Sequence, residues 1–145
     1  MSEGIKLSNR ELEFINLFEL ITSVRVKDCI IDERFNRAIF LVDPTQVGLA
    51  IGRGGEKINA FKKLSSMDAE IVPFYEDLDR LIRGVFLPFE IKDVKISQNN
   101  KGEKLVLIYV DPASKAKVIG ASGRNVVKAR LILARYHGIK NVVVV

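Results

Sequence analysis

Two short glycine-rich segments contain the residues whose types and spacing could hold a ligand. The first reads Ile51-Gly52-Arg53-Gly54-Gly55 and the second reads Ile119-Gly120-Ala121-Ser122-Gly123. Four positions in and before the first segment are repeated 68 residues later: Asp43 as Asp111, Pro44 as Pro112, Gly52 as Gly120 and Gly55 as Gly123. A repeat at this distance divides the chain into two units of about 70 residues each.

A Gly-x-x-Gly turn between two helices suits the backbone of a nucleic acid. Glycine permits positive φ and a close approach of the ligand, and the free N–H groups of the following helix favour a phosphate. Aliphatic residues beside each loop would form an apolar groove floor, which suits the unstacked bases of a single strand better than a duplex. The predicted floor residues are Val47, Ala50, Ile51 and Ile58 in the first copy and Val118, Ile119 and Val126 in the second.

The same two segments predict which residues would contact phosphates. The candidates combine loop residues that offer backbone N–H groups with neighbouring cationic side chains. They are Gly52, Arg53, Gly54, Gly55 and Lys57 at the first loop, and Lys117, Gly120, Ala121, Ser122, Gly123, Arg124 and Lys128 at the second. The alternative interpretation is that the glycines merely end helices. The duplication of both the loop and the upstream Asp-Pro favours ligand-binding loops.

The charge of the chain is concentrated in its second half. Residues 1–74 hold 10 basic and 11 acidic side chains, a net charge of −1, whereas residues 75–145 hold 13 and 7, a net charge of +6. A positive field confined to one half and surrounding a glycine loop indicates a polyanionic partner, although a solvated basic surface would share this composition. We therefore expect the second unit to supply most of the charge-driven affinity.

Several classes of function find no support in the sequence. One cysteine, Cys29, and one histidine, His137, cannot form a Cys/His zinc site. Lys57 stands where a Gly-x-Gly-x-x-Gly motif needs its last glycine, and the Gly-Lys-Ser/Thr of a Walker A motif is missing. We therefore expect no catalysis, metal or cofactor. No apolar run reaches the ~20 residues of a membrane span, and Met1–Gly4 lacks a signal region, so a cytoplasmic protein is expected.

The elements needed to position these loops follow the same order twice, α-β-β-α-α-β, which predicts an α+β fold. In residues 1–74, a capping box at Ser8 and Glu11 starts the first helix, and Ile58, Phe61 and Leu64 are expected to point inward from the third. Residues 75–145 repeat the order. Almost no linker separates the two predicted domains, so a rigid tandem is expected.

The last predicted helix has an unusually narrow polar face. Its polar stripe consists of Arg124, Lys128 and Arg135, while most other positions are apolar. Such a helix needs burial on more than one side. Arg130 falls within the apolar arc, so we expect it to reach a carboxylate or a backbone carbonyl at a domain interface.

The duplicated Ile-Gly-x-x-Gly-x-x-Ile/Val pattern, at Ile51–Ile58 and Ile119–Val126, resembles KH domains. The element order, with an extra helix and strand ahead of the core, resembles the type II form, in which helices cover a three-stranded mixed sheet. Two such domains joined directly are similar to the KH module of NusA transcription factors, in particular to the short archaeal members that consist of the KH pair alone.

This resemblance implies that single-stranded RNA lies across both domains and is clamped by Gly52–Gly55 and Gly120–Gly123. It also implies a part in transcription elongation, pausing or termination, with RNA polymerase or an elongation complex as a further partner. Two other interpretations remain open. One is an RNA chaperone or ribosome-assembly factor. The other is a protein-interaction module with KH shape and little RNA affinity, which the near-neutral first half and Glu56 beside its loop would suit.

Overall fold

The computed structural model describes residues 6–145. The chain divides into two compact units, of which the first ends at Tyr75 and the second comprises Glu76–Val145. The boundary expected from the repeat, after residue 74, lies one residue earlier. The predicted start of the first domain and the Met1–Gly4 segment lie outside the described residues.

The first unit contains three helices and three strands within its described part. They follow in the order α1 (Asn9–Thr22), β1 (Val26–Asp32), β2 (Arg37–Val42), α2 (Val47–Ile51), α3 (Glu56–Ser65) and β3 (Asp68–Pro73). A single 3-10 turn, Pro44–Gln46, precedes α2, and another, Arg53–Gly55, joins α2 to α3. The predicted order of elements is confirmed in this unit.

The capping box that begins α1 is also confirmed. The Ser8 hydroxyl accepts a hydrogen bond from the Glu11 backbone N–H at 3.1 Å, and the Ser8 N–H donates to the Glu11 carboxylate at 2.9 Å. The C-terminal end of α1 is held by Thr22, whose hydroxyl donates to the Phe18 carbonyl at 2.8 Å and accepts from the Val24 N–H at 3.1 Å. Side chains thus satisfy backbone groups at both ends of this helix.

The core of the first unit is built around three phenylalanines. The rings of Phe18 on α1 and Phe40 on β2 stack with centroids 4.1 Å apart, and Phe61 on α3 stands edge-on to Phe40 at 5.2 Å. Every residue of β2 is buried, as the apolar run from Ala38 to Val42 predicts for most of the strand. Phe61 therefore points inward as expected, and it fixes α3 against the sheet.

A buried ion network accompanies this apolar core. The Arg37 side chain is completely buried, and its Nε donates to Asp32 Oδ2 while Nη1 donates to Glu70 Oε2, both at 2.7 Å. These contacts tie the central strand β2 to both neighbours, β1 and β3. They could not be predicted from the sequence, because Asp32 and Glu70 are separated along the chain and meet only through strand pairing.

The second unit repeats the order of elements. They are α4 (Leu78–Val85), β4 (Asp93–Gln98), β5 (Lys104–Tyr109), α5 (Lys115–Ile119), α6 (Arg124–His137) and β6 (Asn141–Val144). The 3-10 turns Pro112–Ser114 and Ala121–Gly123 precede and follow α5. Helix α4 has only 8 residues, whereas α1 has 14, so the first helix is the element that differs most between the units.

Each unit forms a three-stranded mixed sheet, which confirms the α+β class. The strand orders are β1-β2-β3 and β4-β5-β6, and in both the first pair is antiparallel and the second parallel. The parallel strand follows the helix pair that flanks the glycine loop. The same topology thus presents a Gly-x-x-Gly loop at the same place in both units.

Two sequence-based expectations about individual residues are wrong. Leu64 is 68% exposed and lies in the last turn of α3, which ends one residue later. Lys128, placed on the polar stripe of α6, is only 8% exposed. Its four-carbon stem lies one turn from the buried Ile132, and such a stem packs readily among apolar side chains.

Candidate nucleic-acid interface

An Asp-Pro pair begins each helix–loop–helix element in the way its sequence predicts. Asp43 Oδ1 accepts hydrogen bonds from the Thr45 backbone N–H at 2.9 Å and from the Thr45 hydroxyl at 2.6 Å. The hydroxyl and then the N–H hold the pKa of the Asp43 carboxyl below its ordinary value. In the second unit, Asp111 accepts from the Ala113 N–H at 3.2 Å. Each aspartate therefore caps the turn that leads to its glycine loop.

The two loops have nearly the same backbone. Gly52 has φ 80° and ψ 170°, and Gly120 has φ 82° and ψ 164°. Gly55 and Gly123 share the left-handed conformation, with φ 75° and 79° and ψ 18° in both. Between them Gly54, at φ 63° and ψ 20°, corresponds to Ser122, at φ 57° and ψ 23°. No corresponding angle differs by more than 6°.

The first glycine of each loop is required by both backbone and space. A φ near 80° combined with an extended ψ is a region that only glycine occupies readily. A Cβ at Gly52 would lie 2.9 Å from Lys57 Cγ and 3.2 Å from its backbone nitrogen, and one at Gly120 would lie 2.9 Å from Asn125 Nδ2. The side chain five residues later therefore folds over this glycine in each unit.

These overlying side chains are engaged differently in the two units. The Lys57 ammonium donates to the Thr22 carbonyl at 3.2 Å, so it closes the C-terminal end of α1. The Asn125 amide instead donates to the Lys117 carbonyl at 3.3 Å, across its own loop. Lys57 was expected to contact phosphate, and this hydrogen bond gives it a structural partner within the unit.

The loop residues themselves are open to solvent. Arg53 and Gly54 are exposed at the tip of the first loop, and Ala121 and Ser122 are exposed at the tip of the second. Lys117 is also exposed, and Arg124 is half-buried at the start of α6. Among the predicted cationic contacts, Lys128 is the one that burial removes from the open surface.

The predicted groove floor separates into two layers. Val47, Ile51, Ile58 and Ile119 are half-buried, so they retain surface that a base could cover. Ala50 and Val118 have no exposed surface, and Val126 is also buried. These three residues support the floor from the core instead of forming its surface. The spacing of these residues along short helices does not predict which of them are half-buried and which are fully buried.

A cleft in the first unit was not predicted. A cavity of about 360 Å³ is lined by Arg25, Val26, Lys27, Asp43 and Phe74. The signal in the sequence is the alternation Arg25-Val26-Lys27 at the start of β1, in which two exposed cations flank the buried Val26. The partner ring, Phe74, is far away along the chain, so the sequence alone does not bring it to this face.

Metal-binding clusters and membrane-spanning helices are absent from the described residues. Among residues 6–145, no group of three or more His, Cys, Asp or Glu side chains is arranged to hold a metal ion. Within the same range, no helix is long and apolar enough to cross a membrane.

Comparison with known proteins places the chain in a family. Residues 15–73, which include the first glycine loop, match the KH domain. Over 141 residues the chain is 31% identical to a Methanococcus vannielii protein named probable transcription termination protein NusA, and the match covers 97% of this chain and 80% of that protein. The chain belongs to the NusA family.

Other relatives and a solved structure agree with this membership. NusA proteins of the same name from Methanocaldococcus jannaschii and Halobacterium salinarum are 29% and 26% identical, over 97% and 95% of this chain and 75% and 96% of their own length. The crystal structure of APE1850 superposes with a TM-score of 0.88 at 37% identity, covering 96% of this chain and 100% of that one. The fold described above is therefore shared along nearly the whole chain.

Proposed function

We propose that this NusA-family protein binds single-stranded RNA through two consecutive type II KH domains, one in each unit. The observation that carries the proposal is the repeated loop backbone, in which the angles at the first, third and fourth positions differ by no more than 6° between the loops. Backbone geometry that recurs while the side chains change is expected where the backbone itself contacts the ligand. The KH match over residues 15–73 supports this assignment for the first unit.

Each loop would act as a clamp for the phosphate backbone. The N–H groups at the start of α3 and α6 have no partner within their helices, and the positive ends of the helix dipoles lie at the same point. The N–H groups of the end glycines, Gly52 and Gly55 or Gly120 and Gly123, already donate to backbone carbonyls. A phosphate would therefore accept hydrogen bonds from the two residues between them, Arg53 and Gly54 or Ala121 and Ser122, while bases rest on the half-buried aliphatic side chains. A KH loop holds four nucleotides, so two loops cover on the order of ten.

The second clamp would contribute more of the electrostatic attraction. Lys117 and Arg124 flank its loop, and the segment from Pro112 to Val145 contains no acidic residue. At the first loop, Arg53 is offset by the exposed Glu56 next to it. We therefore infer that the first clamp binds mainly through its backbone and its apolar floor.

The wider role proposed is that of a NusA-like factor in transcription elongation or termination. The support is the name of the relatives, probable transcription termination protein NusA. RNA polymerase or its elongation complex would then be a partner in addition to the transcript, and no catalytic step is involved. Retention of the protein on stalled elongation complexes, lost when the nascent transcript is digested, would test this role.

RNA binding itself is tested by titrating poly-pyrimidine and poly-purine RNA at moderate salt. We expect binding by the natural protein and at least a tenfold loss in Gly54→Asp/Ser122→Asp, because both new carboxylates face the clamped phosphates. The matched control is Ser66→Asp/Gly102→Asp. Both of its sites are exposed and have positive φ, 62° and 81°, but they lie outside the loops.

The outcomes separate the proposal from its alternatives. Equal affinity of the loop and control variants would contradict RNA binding through the loops. No binding to either RNA by the natural protein would favour a protein-interaction module. A salt dependence of about −0.7 in log K per phosphate would count the contacts formed.

A further inference from the structure

The cleft at the start of β1 combines three kinds of group that together recognise a nucleotide. Lys27 Nζ lies 4.6 Å from the centroid of the Phe74 ring, and Arg25 lines the same cavity of about 360 Å³. Asp43 also lines this cavity. An aromatic face suits a base, cations suit a phosphate, and a carboxylate accepts hydrogen bonds from a hydroxyl or an amino group.

The cations of this cleft are exposed, and the Lys27 ammonium, which lies over the Phe74 ring, must leave the ring before a base can pack there. Arg25 and Lys27 are exposed and take part in none of the ion pairs found within residues 6–145. The nearby carboxylates are already partly occupied. Glu19 Oε2 accepts from the Val26 N–H at 2.7 Å, and Asp43 Oδ1 accepts from Thr45. These bonds hold the two acids in place, while the Asp43 Oδ2 atom has no bond to Thr45.

The cleft lies close to the first loop along one continuous element. Asp43 caps the 3-10 turn Pro44–Gln46, which leads directly into α2 and then to Gly52. The rise of these three 3-10 residues and five α-helical residues amounts to about 14 Å. One strand of RNA could therefore contact both the loop and the cleft.

We propose that this cleft binds one ribonucleotide of an RNA strand that is held at the first glycine loop. The phosphate contacts Arg25 and Lys27, the base packs against Phe74, and Asp43 accepts from the ribose 2′-hydroxyl or a base amino group. The inference rests on the proposed function and adds a second contact to it. It also gives the near-neutral first unit a local cationic site that its net charge conceals.

The test compares matched charge removals in RNA oligomers of increasing length. Arg25→Gln/Lys27→Gln removes the cations of the cleft, and Arg34→Gln/Lys63→Gln removes one exposed arginine and one exposed lysine elsewhere in the same unit. Arg34 is a close match, because its guanidinium also lies over a ring, 5.3 Å from the centroid of Phe35. We expect the cleft variant to lose about tenfold in affinity for long oligomers and little for tetramers, and the control to lose much less.

The ring has its own pair of variants. Phe74→Leu should weaken binding of long oligomers, and Phe74→Tyr, which keeps the aromatic face, should restore it. A crosslink from 5-iodouracil-substituted RNA to the peptide that contains Phe74 would support the assignment directly. Equal affinities for the cleft and control variants would overturn it, while the loss caused by Gly54→Asp/Ser122→Asp would leave RNA binding at the loops standing.

Titration with mononucleotides distinguishes the source of the nucleotide. Backbone amide shifts at Val26 and Phe74 with UMP or AMP, together with the length-dependent RNA effect, agree with the proposal. Shifts with mononucleotides but no RNA effect would overturn it in favour of a free-nucleotide site. If inorganic phosphate causes shifts as large as those caused by the nucleotides, the cleft is only an anion site. If no ligand causes a shift, the proposal is also contradicted.

Discussion

The two glycine loops share a backbone but not its surroundings. Gly54 and Ser122 occupy the same left-handed position, although only glycine does so without strain. Glu56 and Arg124, at the first helical position after each loop, have opposite charges. Lys57 bonds to α1, whereas Asn125 bonds within its own loop. The loop backbone is therefore the same in both units, whereas the neighbouring charges and the hydrogen bonds beside the loop differ.

This difference shows which features the loop geometry depends on. The first loop is braced from outside by the carbonyl of Thr22, at the end of the long helix α1. The second unit has only the short α4, and its loop is braced by the amide of Asn125. Two unrelated hydrogen bonds thus hold one backbone conformation. Variants that exchange features between the units can test how far this equivalence extends.

The largest expected effect concerns the polar core of the first unit. Strand register places Leu105 of the second unit where the first has Arg37. Arg37→Leu should lower the free energy of unfolding by about 3–5 kcal/mol, because it leaves the buried Asp32 carboxylate without its partner. Denaturant unfolding followed by circular dichroism measures this loss.

A triple exchange sharpens the same comparison. Arg37→Leu combined with Asp32→Ser and Glu70→Val introduces the residues at the matching positions of the second unit, Leu105, Ser97 and Val143. Because no buried charge is then left without a partner, the triple variant should lose less than half as much unfolding free energy as Arg37→Leu alone. An equal or larger loss would show that the two sheets are not interchangeable at this end.

The next effect concerns the first glycine of each loop. Gly52→Ala and Gly120→Ala should each cost about 2–3 kcal/mol in unfolding free energy and weaken RNA binding, because alanine cannot adopt this φ and ψ without strain. The control is Gly48→Ala, since Gly48 has open space around it and Ala116 stands at its place in the second unit. Gly48→Ala should raise the free energy of unfolding by about 0.5–1 kcal/mol. A neutral result at Gly52 or Gly120 would refute the steric argument.

A smaller effect tests the electrostatic difference between the loops. Ser122→Asp and Gly54→Asp place the same charge at equivalent backbone positions. We expect about a tenfold loss of RNA affinity for Ser122→Asp and about threefold for Gly54→Asp, because the second loop relies more on its surrounding cations. Filter binding or fluorescence anisotropy at two salt concentrations would measure both. Equal losses would mean that the two loops contribute equally to the electrostatic attraction for RNA.

The smallest effect is a dependence of stability on pH between 7 and 5, which arises from His137 in the second unit. Burial, and then the charge of Lys104, hold the pKa of His137 below the ordinary value of 6.5. The folded protein therefore binds fewer protons there than the unfolded chain, so stability should fall as pH decreases below about 6.5. Thermal unfolding between pH 7 and 5 should show a shallower decline in His137→Gln. An unchanged decline would assign the effect to other groups.

Local patterns were sufficient to predict most of the architecture. The capping box at Ser8, the Asp-Pro pairs and the apolar run of β2 are short-range signals, and each corresponds to the expected element. Leu64 shows where such signals fail. Its spacing from Phe61 defines a helix face, but whether another element covers the last turn depends on the tertiary structure.

The candidate site was less predictable than the fold for the same reason. The glycines and their left-handed conformations follow from residue type, so both loops could be recognised. Partners that are remote in sequence could not be assigned, as with Lys57 and the Thr22 carbonyl, or Lys27 and the Phe74 ring. The burial of Lys128 could not be predicted either, because its four-residue spacing from Arg124 places both side chains on the same polar stripe of the helix.

The parallel pairing of the second and third strands has a consequence for how each unit folds. The hairpins β1-β2 and β4-β5 join neighbouring segments and can form within microseconds, whereas β3 and β6 pair only after the chain between them and the hairpin has closed. In each unit the glycine loop lies inside that late-closing segment. Closing this segment costs conformational entropy that grows with its length, so insertions in or beside a glycine loop should slow the pairing of the final strand.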